Sequence, residues 1–271
     1  MSKRIAVFCA AITLALCLTS IASARADDRD PRVSSAVVAA RQKIFGTENV
    51  DAKTGRVRND KVIFSWITNA SFAASIKGRV VLLDTFVTRL EVTPGRTPFV
   101  IKDLVDLQPE ALFIGHGHRD HADNAAFISK QTGAVIYASP ETCDNMQLDA
   151  ARIFGAGTAV KCVSLTSRGS LPGAELVPIN QLEPVASITA FKHLHSTRVA
   201  QDTSFPPVVI NSPVNGVCQT PCNVADPRDA SLFPAGVSLT SVLDLRTSTA
   251  GQGGPISIYY QFKLRGDNRF S

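Results

Sequence analysis

The chain has 271 residues, 45% hydrophobic, 19% charged and 7% aromatic, which is enough apolar material for a sizeable core and far from a disordered, collagen-like or coiled-coil composition. Lysine and arginine number 28 against 23 acids, a formal charge of +5, and only one apolar run, Ile5 to Leu18, approaches membrane character, which excludes a multi-span membrane protein. No Lys/Arg-rich run interleaved with aromatics offers a footprint for nucleic acid.

Lys3 and Arg4 precede the apolar run, and Ala22-Ser23-Ala24 and Ala24-Arg25-Ala26 come after it, the basic, apolar and small-residue order of a secretory signal peptide. The sequence predicts a signal over residues 1–26, cleavage after Ala26, and a mature domain over 27–271 that is periplasmic or secreted, with no membrane contact after signal removal. Loss of Lys3, Arg4 and Arg25, with no acid removed, lowers the formal charge to about +2. The basicity therefore belongs largely to the signal.

The first mature stretch predicts a helix from Val33 to Phe45, with Ser34 or Ser35 at its start and Gly46 as its stop. From Lys61 the pattern changes to short strands: Val62 to Ile67, Ser71 to Ile76, a Lys77-Gly78-Arg79 turn, and the apolar Val80-Val81-Leu82-Leu83 ending in Asp84. Thr97-Pro98 predicts a helix start for Phe99 to Leu107, closed by Pro109, and Ala111 to Ile114 reads as a short buried strand. A helix from Asp123 to Lys130 is stopped by Gly133 before the strand Ala134 to Tyr137, and a second helix spans Pro140 to Phe154. Further strands lie near 160–165, 174–179 and 186–193. The alternation of helix and strand defines an α/β fold. A Pro/Gly/Asn-rich stretch from about 203 to 255 reads as a lid or rim loop. After it, Ile256, Ile258, Tyr260, Phe262 and Leu264 alternate as one strand face, and Gly266-Asp267-Asn268 turns the chain toward a strand begun at Arg269.

Cys9 and Cys17 leave with the signal, and Cys143, Cys162, Cys218 and Cys222 remain in an oxidising compartment. Their spacings lack the two CxxC pairs of a zinc ribbon, so disulfides are expected. Four thiols allow three pairings; proximity predicts a small Cys218–Cys222 loop in the long rim segment.

The chemistry is concentrated in Gly115-His116-Gly117-His118-Arg119-Asp120-His121, where a buried strand ends and a helix is about to begin; three of the chain's five histidines lie here, and the others are His193 and His195. In extended geometry His116 and His118 face the same way and can grip one cation, while Asp120 and His121, beyond the bend, aim elsewhere. Gly115 and Gly117 are expected to let the backbone crowd the ion without Cβ clashes.

This His-x-His-x-Asp-His segment, with the strand meander and Asp84 before it, resembles the signature of the metallo-β-lactamase superfamily over about residues 60–200. The resemblance implies an αββα sandwich with a metal site along one edge of the two sheets. It implies that His116 and His118 hold a first metal together with a downstream histidine, for which His195, preceding Ser196, fits better than His193. His193 is then a substitute or supporting residue. Asp120 and His121 would hold a second metal, and Asp84 would steady the motif loop.

Zinc suits this donor set first, one or two ions per chain, with iron and manganese allowed. The expected chemistry is hydrolysis of a small-molecule ester, lactone or amide, with water activated at the metal and Asp120 as the catalytic group that orients it and passes a proton to the leaving group. Two rivals remain: a non-catalytic metal-binding protein on the same scaffold, and an iron redox protein. Superfamily members normally supply a metal-bridging aspartate and a final histidine beyond the point where this sequence stops, so a C-terminally incomplete fold is expected. Asp267 reads as a turn residue. Such a chain would have a weak second site, little activity, and an exposed Ile/Tyr/Phe strand edge open to self-association.

Overall fold

The structure is a computed structural model that describes residues 34–87, 99–117, 119–168, 170, 173–194 and 256–266. The expected signal peptide, the segment 203–255 with Cys218 and Cys222, and Asp267 lie outside the described residues, as do His118 and His195. Among the described residues no helix is long and apolar enough to cross a membrane.

Helix α1 (Ser35–Phe45) starts where expected, because the Ser34 hydroxyl accepts the Val37 N–H, and stops at Gly46 with φ 90°, a conformation that favours glycine. Three strands come next, β1 (Val62–Thr68), β2 (Ser71–Ile76) and β3 (Arg79–Leu83), paired as an antiparallel meander. From β3 the sheet becomes parallel through β4 (Ala111–Phe113), β5 (Val135–Ala138) and β6 (Cys162–Ser164), giving six strands in chain order. A second sheet holds β7 (Leu176–Ile179), β8 (Ala186–Leu194) and β9 (Ile256–Leu264), all antiparallel.

Alternation along the strands sorts the side chains into two cores. Leu82, Leu112 and Ile136 face the helices α1, α2 (Ile101–Asp106), α4 (Ala125–Thr132) and α5 (Pro140–Phe154), while Val81, Phe113 and Tyr137 face the second sheet. The Phe113 ring stacks on Tyr137 at 5.2 Å and meets the edges of Tyr260 and Phe262 at 5.2 and 5.3 Å. The described layers are thus helices, sheet, sheet. A helical layer outside the second sheet is not among the described residues.

Two helices depart from the sequence expectation. Helix α2 begins at Ile101 rather than Phe99, since the Asp103 carboxylate reaches back to accept the Val100 N–H at 2.8 Å and caps the helix from within. The helix expected over Asp123 to Lys130 is α4, beginning at Ala125, and a short helix α3 (Arg119–Ala122) that the sequence did not announce precedes it, with Asn124 between them at φ 73°. The break has a cause: the His121 carbonyl, which a continuous helix would offer to Ala125, instead accepts the Thr85 N–H at 2.7 Å.

Candidate metal centre

The parallel strands β3 and β4 end side by side, which places the residues just beyond them on one rim of the sheet. After β3 the Asp84 N–H extends the ladder to the Phe113 carbonyl at 2.9 Å, and its backbone then turns left-handed at φ 56°. Aspartate tolerates that conformation better than most side chains. The turn directs the nearly buried carboxylate across the motif loop, where Oδ1 accepts the Gly115 N–H at 2.8 Å and Oδ2 meets His121 Nδ1 at 2.7 Å.

An ionised carboxylate only accepts, so this contact places the His121 proton on Nδ1 and turns Nε2 toward the site. Nε2 stands 3.7 Å from Asp120 Oδ2, and the His116 ring lies 3.9 Å from the His121 ring, centroid to centroid. Ligand atoms of His116, Asp120 and His121 all fall within 4.8 Å of one another. Two imidazoles and a carboxylate converging on one point, one imidazole fixed from behind by a second carboxylate, suit a divalent transition metal. His116, Asp120 and His121 are the described residues that could hold it.

The second sheet closes on the same loop. The Ile258 N–H of β9 donates to the Gly115 carbonyl at 2.6 Å, and the Tyr260 hydroxyl lies 2.9 Å from the Ile114 carbonyl and 2.7 Å from that of Tyr137. Burial, reinforced by the Asp84 charge, holds the Tyr260 phenol well above the ordinary tyrosine value, so it remains a donor. The β9 face bearing Ile258, Tyr260 and Phe262 packs into the core between the sheets, and this strand's backbone meets the motif loop at Ile258. His193, on β8, is exposed with its ring 4.8 Å from Tyr259, and does not belong to the His116–Asp120–His121 group.

Among protein atoms, a Cβ at Gly115 would meet Asp84 Oδ1 at 3.5 Å, an ordinary van der Waals contact. The residue that sequence reading missed is Asn69, in the β1–β2 turn, whose amide donates to Asp120 Oδ2 at 2.9 Å and to the Asp120 carbonyl at 3.1 Å. Its identity signalled only a turn; nothing local linked it to a residue 51 positions on.

A cavity of about 620 Å³ opens beside the group, lined by Ala70, Asp84, Gly115, His116, His121 and Tyr259 among others. It is large enough for a small molecule. A larger one, about 740 Å³, lies between the 48–59 segment and the β2–β3 turn, is lined by Arg41, Arg56 and Lys77, and holds none of the motif residues.

No family model matches the chain. It is similar to proteins described as UPF0173 metal-dependent hydrolases: 29% identical over 91 residues to one from Methanopyrus kandleri, covering 31% of this chain and 36% of that protein, and 39% identical over 72 residues to one from Thermoplasma volcanium, covering 26% and 28%. The chain thus spans about a third of the length of the curated relatives it matches. Among solved structures it is similar to Igni18, a metallo hydrolase from Ignicoccus hospitalis, at a TM-score of 0.35 and 16% identity over 51% of this chain and 52% of that one. It is also similar to BJP-1, a subclass B3 metallo-β-lactamase of Bradyrhizobium japonicum, at 0.25 and 13% over 51% and 59%. The resemblance drawn from the motif therefore extends to relatives that are themselves named metal-dependent hydrolases.

Proposed function

We propose that the chain is an exported, zinc-dependent hydrolase of the metallo-β-lactamase superfamily, acting on a small ester, lactone or amide. The observation that supports this most is the convergence of His116, Asp120 and His121 with the Asp84 carboxylate behind His121. The Cys143–Cys162 disulfide, between Cα atoms 5.6 Å apart, favours export, since such bonds persist in oxidising compartments.

A bound zinc ion would supply a Lewis acid and lower the pKa of a coordinated water to about 7. The chain's own residues do the rest. Asp84 holds the His121 ring in one orientation, and the partly exposed Asp120 carboxylate can orient water and hand a proton to the departing group. The apolar walls from Tyr259 and Ala70 admit an uncharged substrate body beside the polar edge.

The test is metal analysis of the purified protein joined to a screen of lactam, lactone, ester and phosphodiester substrates. Metal should copurify, and activity should vanish on chelation, return with Zn²⁺, and be missing from the His116→Ala, His121→Ala double variant. Equal metal content in that variant and the parent overturns the assignment, and bound metal with no hydrolysis points to a non-catalytic scaffold.

A further inference from the structure

The tip of the β1–β2 hairpin is built around Asn69 in a way that a plain turn does not need. The β1–β2 register shifts between Trp66 and Thr68, and such irregularities bend a strand and re-aim the side chains beyond them. Asn69 then adopts φ 47°, and the Trp66 indole N–H donates to the Asn69 carbonyl at 2.7 Å, holding the tip. The side chain so placed leaves its own hairpin and makes both of its hydrogen bonds to Asp120, one to Oδ2 and one to the main-chain carbonyl. Both partners are acceptors, so only the NH₂ half of the amide can serve them, and its two protons match the two oxygens.

We infer that Asn69 is a positioning residue for Asp120: its amide fixes the carboxylate and the first turn of α3 so that Asp120 stays with His116 and His121. The inference rests on the metal-binding reading of that group. The reasoning is geometric. Asp120 is more exposed than its neighbour in the group, with 44% of its side chain accessible against 18% for His121. His121 is fixed by Asp84, whereas the more exposed Asp120 side chain has room to turn to another rotamer if nothing holds it. A donor with two bonds to it removes that freedom before any ion arrives.

Three substitutions separate positioning from turn-making. Asn69→Gly keeps the left-handed turn and removes the amide; Asn69→Asp keeps the shape and replaces the donor with a second carboxylate; Asn69→Ala removes the amide and strains the turn. Each is measured by titration of the metal-free protein with Zn²⁺, by thermal unfolding of the metal-free form, and by a crystal structure of metal-free Asn69→Gly. The expected result is a 10- to 100-fold weaker Zn²⁺ affinity for Asn69→Gly and Asn69→Asp, the loss typical of removing a partner that orients a ligand, with the metal-free Tm of Asn69→Gly near the parent's. Its Asp120 carboxylate should have left the His116–His121 group. An Asn69→Gly protein with parental Zn²⁺ affinity and Asp120 in place overturns the inference. If the parent itself binds no Zn²⁺ the metal reading fails, and the crystal structure still decides whether Asn69 holds Asp120.

Discussion

Asp84 makes two contacts at once, because its position just beyond β3 lets one carboxylate reach both Gly115 N–H and His121 Nδ1. Asp84→Asn therefore does more than remove a charge. Whichever way the amide turns, its NH₂ faces either the Gly115 N–H or the His121 Nδ1–H, so a donor meets a donor. Zn²⁺ affinity is expected to fall about 10- to 100-fold, measured by competition with a chromogenic chelator. Asp84 was legible in the sequence as an acid closing an apolar strand just upstream of the motif, and so were His116, Asp120 and His121, because clustered histidines with an aspartate stand out in any window. Asn69 was not. A turn asparagine looks the same whether or not it reaches across to another loop, and its partner is fixed only when β1 and α3 are brought together by the sheet.

At the level of elements, the punctuation of the chain carried most of the fold. Ser34 and Gly46 delimit α1, and Ser139-Pro140 and Gly155 delimit α5, since caps act locally and local chemistry is what a sequence displays. The α3–α4 break was hidden for the opposite reason, because it arises from a long-range bond between Thr85 and the His121 carbonyl. Lys192 is a second such case. It lies in a strand readable from its apolar pattern, yet it is 1% exposed, with Nζ donating to the Ser167 and Ser170 carbonyls at 3.0 Å each. Burial lowers the pKa of its ammonium, opposed by Glu141 and Glu175. The Cys143–Cys162 bond ties α5 to β6 across a separation of 19 residues. A loop of that size restricts the unfolded chain enough for about 3 kcal/mol of stability. The Cys143→Ala, Cys162→Ala double variant should unfold in urea at a clearly lower midpoint, and coincident midpoints for the parent with and without reductant would sink this expectation.

For the molecule as a whole, the two sheets are joined differently at their two ends. Away from the motif, the Arg79 guanidinium pairs with Glu110 and also donates to the Gln181 and Glu183 carbonyls, while Arg265 pairs with Glu183 at 2.7 Å and its carbonyl accepts Lys77 Nζ. This end is closed by charge-assisted bonds within the protein. At the motif end the sheets meet through Ile258 N–H and the Tyr260 hydroxyl, and the cluster beyond them gathers a carboxylate and an imidazole nitrogen that stand 3.7 Å apart. A metal ion held by both groups would add bonds that the far end has no ligands to make, so this end should gain stability from metal. Free Zn²⁺ at 100 times its dissociation constant stabilises the folded state by about 2.7 kcal/mol if the unfolded chain binds none. For a domain of this size that corresponds to a Tm higher by roughly 5–10 °C than in chelator. The measurement is thermal unfolding with Zn²⁺ and with EDTA, the disulfide kept oxidised in both. The His116→Ala, His121→Ala double variant supplies the control: its Tm should be the same in Zn²⁺ and EDTA, and an undiminished shift there would place the stabilising ion somewhere other than this rim.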